Sequence, residues 1–250
     1  MTVAALLFRY QHRAETGSTN DDALAAAAAG EAPGLVVYAD LQTAGRGRRG
    51  RSWTSPEGNL YASVLLRVTD HATAGLYCFV AALALADALD GFVGPERVRL
   101  KWPNDVLVDG AKIAGILLET APGNDALGLA LVVGFGVNLA SHPDEARYPA
   151  VSLLALGFAA EKLKPHDFLQ QVLAAFNHYH FMLARNGFAA IRALWLARAV
   201  GVGENITVRL PDSELGGRFN SIDDDGCLLL EPQSGRIEKI AVGDVFLKRS

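Results

Sequence analysis

Gly45-Arg46-Gly47-Arg48-Arg49-Gly50-Arg51-Ser52-Trp53 places four arginines and three glycines in its first seven residues. Glycine lets the backbone take φ > 0 and approach a ligand closely, and guanidinium groups make bidentate, permanently charged contacts to phosphate and carboxylate. Read alone, the segment is an anion site, a solvated arginine-glycine loop or an RNA-binding tract. The flanking sequence gives its setting. Residues 35–39 before it and 60–67 after it are apolar, β-prone runs, so the arginines sit on a loop joining two sheet elements.

Further elements read outward from that loop. Upstream, Ser18-Thr19-Asn20 and two acids open an alanine-rich helix over 21–29 that stops at Gly30. Downstream, a helix over 72–89 leads to a strand over 97–102. Residues 106–108 and 112–119 flank Asp109-Gly110, a strong hairpin signal. A strand over 127–139 contains Gly134 and Gly136, and glycine inside a strand often marks close approach of a ligand or another chain segment. Helices follow from Pro165 to about 186 and over 189–199. From Gly203 the texture changes to five short β-rich pieces, 206–210, 217–222, 227–231, 237–241 and 245–248, the pattern of a small barrel. The boundary is expected near residue 200, giving domains 1–200 and 201–250.

Composition narrows the function. With 250 residues, half of them hydrophobic, the chain buries a substantial core. Its net charge of −4 argues against a protein built mainly to bind nucleic acid, which usually carries a broad basic excess. Cys78 and Cys227 are the only cysteines, without disulfide or metal-ligand spacing, which fits a reducing cytoplasm. No secretion signal is read at the N-terminus. The longest apolar stretch, 72–86, falls short of the ~20 residues that span a bilayer, so a buried helix of a soluble protein is expected.

Three clusters accompany the arginine loop: Lys101-Trp102-Pro103-Asn104-Asp105, Lys112 to Leu117, and Gly134-Phe135-Gly136-Val137-Asn138. Each has a purely structural alternative. Lys112 can be a snorkelling strand end, Asn104 and Asp105 turn residues, Ser18 to Asn20 helix caps, and Gly134 and Gly136 a bulge. His178 and His180, two apart on a helix, are poor co-ligands, and Cys78 reads as an inert core thiol. The arginine loop is neither a Walker loop nor a dinucleotide fingerprint.

In this order, Ser-Thr-Asn at 18–20, Gln42, the arginine loop, Lys-Trp-Pro-Asn-Asp at 101–105, Lys-Ile-Ala-Gly-Ile-Leu at 112–117 and Gly-Phe-Gly-Val-Asn at 134–138 resemble the biotin protein ligases. The resemblance runs from about residue 15 to the C-terminus. It implies an α+β fold, with a class II synthetase-like mixed sheet packed with helices and a small SH3-like barrel. Too few residues precede Ser18 for a helix-turn-helix domain, so the form without DNA binding is expected. The implied activity forms biotinyl-5'-adenylate from biotin and MgATP, then passes biotin to a lysine of a biotin carboxyl carrier protein.

By the same resemblance, Lys112, Arg48 and Asp105 are the catalytic candidates, Asp105 as a group orienting the acceptor lysine. Ser18, Thr19, Asn20, Gln42, Arg46, Gly47, Arg48, Lys112 and Gly115 are expected at biotin. Arg46, Arg48, Arg49, Trp53, Lys101, Asn104 and Asn138 are expected at ATP or the adenylate. No protein ligand to a metal is assigned, and monomer and homodimer stay open. The arginine loop is expected to be mobile until an anionic ligand orders it. A lipoate or octanoate ligase of the same superfamily is the nearest alternative, and an RNA-binding module the more distant one.

Overall fold

The computed structural model describes residues 6–122, 128–143 and 149–247. Alternating side chains of the central strands divide between two faces of one mixed sheet, so both faces require a cover. The strands are β1 (Arg9–Thr16), β2 (Leu35–Gln42), β3 (Leu60–Val68), β4 (Val98–Lys101), β5 (Asp105–Val108), β6 (Ala111–Ala121) and β7 (Leu129–Val137), in the order β1-β2-β3-β7-β6-β5-β4. Only β1 and β2 run parallel; the remaining neighbours are antiparallel. Val36, Val64, Leu66 and Val133 face the long helices α2 (His71–Val93) and α3 (Pro165–Asn186), while Val37, Leu65 and Val132 face α1 (Thr19–Ala28) through Ala23 and Ala27.

Local signals explain the helix ends. Asp70 caps α2 by accepting from the Thr73 amide at 2.7 Å, and Gly94 (φ 86°) ends it, as only a residue without Cβ does readily. The helix is therefore longer than its expected 72–89. It is the one described helix apolar and long enough to cross a membrane, yet 72% of that window is buried in the fold. Gly187 (φ 74°) breaks α3 from α4 (Phe188–Arg198). Asp109 and Gly110 take φ of 51° and 80°, both positive, and close the expected hairpin between β5 and β6.

The last residues form a second, five-stranded antiparallel sheet: β8 (Asn205–Arg209), β9 (Glu214–Ile222), β10 (Leu228–Glu231), β11 (Glu238–Ile240) and β12 (Asp244–Leu247), ordered β11-β10-β9-β8-β12. It packs on the first part through Trp102, whose indole nitrogen donates to the Gly226 carbonyl at 3.1 Å, and its core joins that of α2 and α3.

Two features depart from the sequence reading. Strand β1 is not evident in the sequence, because Arg-Tyr-Gln-His-Arg-Ala-Glu-Thr is largely polar; it survives as an edge with much of its surface in water. Gly134 and Gly136 form no bulge, since β7 keeps unbroken register with β3 and β6 through both. Leu127 and Lys248, expected as strand ends, and part of the 140–150 segment lie outside the described residues.

Candidate active site

A cleft opens on the α1 side of the large sheet, between the start of α1, the arginine loop, the β5–β6 hairpin, β7 and the beginning of β12. Of the residues expected from sequence, Ser18, Thr19, Asn20, Gln42, Arg46, Gly47, Arg48, Trp53, Lys101, Asn104, Asp105, Lys112 and Gly115 all line it. Arg49 and Asn138 do not. Arg49 lies 3.7 Å from Asp244, and the buried Asn138 donates to the Val151 carbonyl at 3.2 Å, tying β7 to the following segment.

One end of the cleft is neutral and hydrogen-bonding. Ser18, Thr19 and Asn20 are buried, and Ser18 stands at the N-cap of α1 without making a side-chain cap, so the capping alternative does not hold for it. Gln42 Oε1 accepts from the Thr19 amide at 2.9 Å, and Gln42 Nε2 donates to Ser55 at 3.0 Å. Ser63, fully buried on β3, lies 2.8 Å from the Thr19 hydroxyl and 2.6 Å from Asn20 Oδ1. Asn20 Nδ2 donates to Glu119 at 2.8 Å. A Cβ at Gly134 would stand 2.2 Å from Asn20 Oδ1, which is why this strand position needs glycine.

The other end is cationic around one anion. Asp105 pairs with Lys112 at 2.5 Å and with Lys101 at 3.0 Å. Burial alone would raise its carboxyl pKa, but Lys112 and then Lys101 hold it below the ordinary carboxylate range. Lys112 also lies 5.1 Å from the centre of the Trp53 ring, a cation–π geometry. Trp53 rests on the glycine floor: a Cβ at Gly136 would meet its ring at 2.6 Å, and one at Gly115 would meet it at 3.1 Å. Its indole Nε1 is buried with no hydrogen-bond partner among the described residues.

The arginine loop is a small hairpin of its own. Trp53 donates to Gly45 at 2.9 Å, Arg46 bridges to Ser52, and the Gly47 amide donates to Arg51 at 2.6 Å. Arg49 and Gly50 at its tip both take positive φ. Its charges are answered from several sides. Arg46 makes two bonds to Glu119, at 2.8 and 2.9 Å, and a further one to Asp21. Burial opposes its charge, but the bonds to Glu119 and the field of Asp21 raise its pKa. Arg48 donates to Asn104 at 3.3 Å and to the Gly243 carbonyl at 3.5 Å, with its pKa lowered by burial. Asp244 receives Arg51 at 2.9 Å. The sequence expects a loop that is mobile until an anionic ligand orders it; these acids are the part of its environment that sequence order hides.

Ser63, Glu119, Asp21 and Asp244 are the polar residues that sequence reading missed. Glu119 sits seven residues after Lys112 on a strand that otherwise reads as apolar, and that lone acid was the available signal. Cys78 stands beside a side cavity that shares Arg48, Pro103, Asn104 and Ile116 with the cleft. It donates to the Pro103 carbonyl at 3.2 Å and burial pushes its thiol up to about 12, so it is no nucleophile at neutral pH. His180 instead meets the Tyr77 hydroxyl at 2.8 Å, away from the cleft. Among the described residues no three His, Cys, Asp or Glu side chains converge as metal ligands.

The site is thus a cleft with a hydrogen-bonding end and a cationic end, on a mixed sheet with a small β appendage, and comparisons place the chain among protein ligases that act on biotin or lipoate. Residues 16–138 match the Biotin/lipoate A/B protein ligase family, and residues 201–248 match the Biotin protein ligase C terminal domain. The biotin–acetyl-CoA-carboxylase ligase of Paracoccus denitrificans is 43% identical over 244 residues, covering 93% of this chain and 98% of that one. The corresponding ligase of Mycobacterium tuberculosis is 38% identical over 240 residues, covering 93% and 86%. Among solved structures, a biotin protein ligase from Aquifex aeolicus in complex with biotin and ATP superposes with a TM-score of 0.79 at 27% identity, covering 96% of this chain and 99% of that one. The chain belongs to the biotin protein ligase family.

Proposed function

We infer that the protein joins biotin to ATP as biotinyl-5'-adenylate, releasing pyrophosphate, and then transfers the biotinyl group to a lysine of a biotin carboxyl carrier protein, releasing AMP. The observation that carries this reading is the two-ended cleft. The cyclic urea of biotin is neutral and rich in donors and acceptors, which suits the Ser18–Thr19–Asn20–Gln42 end. The valerate carboxylate and the α-phosphate are anions that must meet, which suits Lys112, Lys101 and Arg48 at the other end.

In the first step a carboxylate oxygen attacks the α-phosphorus and the bond to pyrophosphate breaks. Lys112 screens the repulsion between the two anions and stabilises charge that builds on the phosphorus oxygens. Asp105 fixes the Lys112 ammonium. Its depressed pKa keeps it ionised and makes it a weak base, so with the acceptor lysine it acts by orienting the incoming amine. Arg46 and Arg48 neutralise phosphate once Arg46 exchanges its acids for ligand, and Trp53 covers the nucleotide. Gly47 and Gly115 allow close approach, and Arg49 acts through the loop. We assign Mg2+ to the ATP phosphates, as part of the MgATP substrate. We assign residues 1–200 to biotin and ATP and 201–250 to the SH3-like appendage, in a cytoplasmic setting that supplies ATP.

The test is pyrophosphate release from MgATP with biotin, lipoate or octanoate. Release with biotin alone is expected. Release driven by lipoate or octanoate but not biotin would refute the assignment.

A further inference from the structure

Glu119 has no place in the sequence motifs, yet it holds two of the cleft's side chains at once. Its Oε2 accepts from Asn20 Nδ2 at 2.8 Å and from Arg46 at 2.9 Å, while Oε1 accepts from Arg46 at 2.8 Å. A carboxylate only accepts, so the side of the Asn20 amide that faces Glu119 must be its nitrogen. The opposite side is then the oxygen, and that oxygen is where the Ser63 hydroxyl arrives at 2.6 Å and where Gly134 has no side chain. Gly134 and Asn20 both line the cleft. The cleft wall therefore carries an acceptor at Asn20, and its direction is set from Glu119 at 2.8 Å and, by a longer bond, from the Leu117 carbonyl at 3.5 Å.

We propose that Glu119 is a positioning residue that fixes the Asn20 amide with its oxygen toward the cleft, and so makes the neutral end of the site select a ligand head carrying an N–H donor. The inference rests on the biotin reading, in which that head is the cyclic urea. A glutamine at 119 both donates and accepts, so it removes the shorter of the two bonds that hold the nitrogen and leaves only the 3.5 Å bond to Leu117: Asn20 can then turn its nitrogen to the wall and meet the urea donor with a donor. Arg46, bound on both oxygens of Glu119 and braced by Asp21, keeps the carboxylate from rotating away.

The experiment is calorimetric titration of biotin, without nucleotide, into wild type, Glu119→Gln, Asn20→Asp and the pair Glu119→Gln/Asn20→Asp. Glu119→Gln should bind about tenfold more weakly, the factor associated with one misdirected buried hydrogen bond. Asn20→Asp alone opposes two carboxylates and should also weaken binding. The pair restores an acceptor-only group at 20 and a donor at 119, and should recover affinity to within about threefold of wild type on the same scale. A merely structural role for Glu119 would shift melting in every variant and give no recovery. Should Glu119→Gln alone not fold, the pair compared with Asn20→Asp carries the same test. Biotin affinity in Glu119→Gln equal to wild type, or no recovery in the pair, overturns the proposal. Failure of the wild type to bind biotin would instead overturn the functional reading on which it rests.

Discussion

Replacing Asp105 with Asn removes the carboxylate that pairs with both Lys101 and Lys112 while nearly preserving shape. The Asp105, Lys101 and Lys112 side chains are only 12%, 11% and 25% exposed, so water does little to screen what is left. Two ammonium groups then face each other across a neutral amide. Breaking a buried pair from one side costs about 3 kcal/mol, the lower part of the range for such pairs. For a chain of this size each kcal/mol shifts the midpoint by roughly 2–4 °C, so the variant should melt about 6–12 °C lower at neutral pH.

The pH dependence carries a defined sign. The folded-state pKa of Asp105 is depressed, so its stabilisation is present above the unfolded carboxylate value near pH ~4 and is lost as pH falls through the folded value. Calorimetric scans of wild type and Asp105→Asn should therefore run apart at neutral pH and converge in acid below about pH 4. Adenylate formation should slow as well, because Lys112 loses its anchor. A gap below about 2 °C at neutral pH, or one that persists undiminished in acid, would refute the account of this triad.

Three further outcomes follow from the same contacts. Gly136→Ala puts a methyl 2.6 Å from the Trp53 ring, so Trp53 must leave the β7 floor; the KM for ATP should rise about tenfold, and an unchanged value would separate Trp53 from the nucleotide. Asn138→Ala should cost about 1–2 kcal/mol in chemical denaturation without altering the KM for ATP, since its amide is committed to Val151; a selective rise in that KM would restore the nucleotide role read from sequence. Asp244→Ala frees Arg49 and Arg51, so amides 46–52 should exchange faster with solvent and adenylate should escape to label bystander lysines; unchanged exchange would mean that Asp244 does not hold the loop.

What the sequence made legible was local. Turn chemistry at Asp109-Gly110, the stop at Gly30 and the five short strands after Gly203 each depend on a few adjacent residues, and each element stands within a few residues of its expected bounds. The arginine loop, Lys112 and Asp105 were legible as chemistry because charge is rare inside apolar strands. What stayed hidden was pairing over long separations. Glu119 meets Arg46 across 73 positions, and Asp244 meets Arg51 across 193, and no periodicity encodes such contacts. Asn138 shows the converse: a motif residue whose side chain the fold uses to bind its own backbone. Strand β1 was lost because an edge strand needs backbone partners more than apolar side chains, and its partner β2 lies 26 residues on in register, Arg9 to Leu35.

The most direct measurement of the central claim is mass spectrometry of a biotin carboxyl carrier domain incubated with the protein, biotin and MgATP. The account predicts one biotinylated lysine, strictly dependent on ATP, with the product lost in Lys112→Ala although that variant melts close to wild type. Modification that proceeds without ATP, or at an undiminished rate in folded Lys112→Ala, would contradict it.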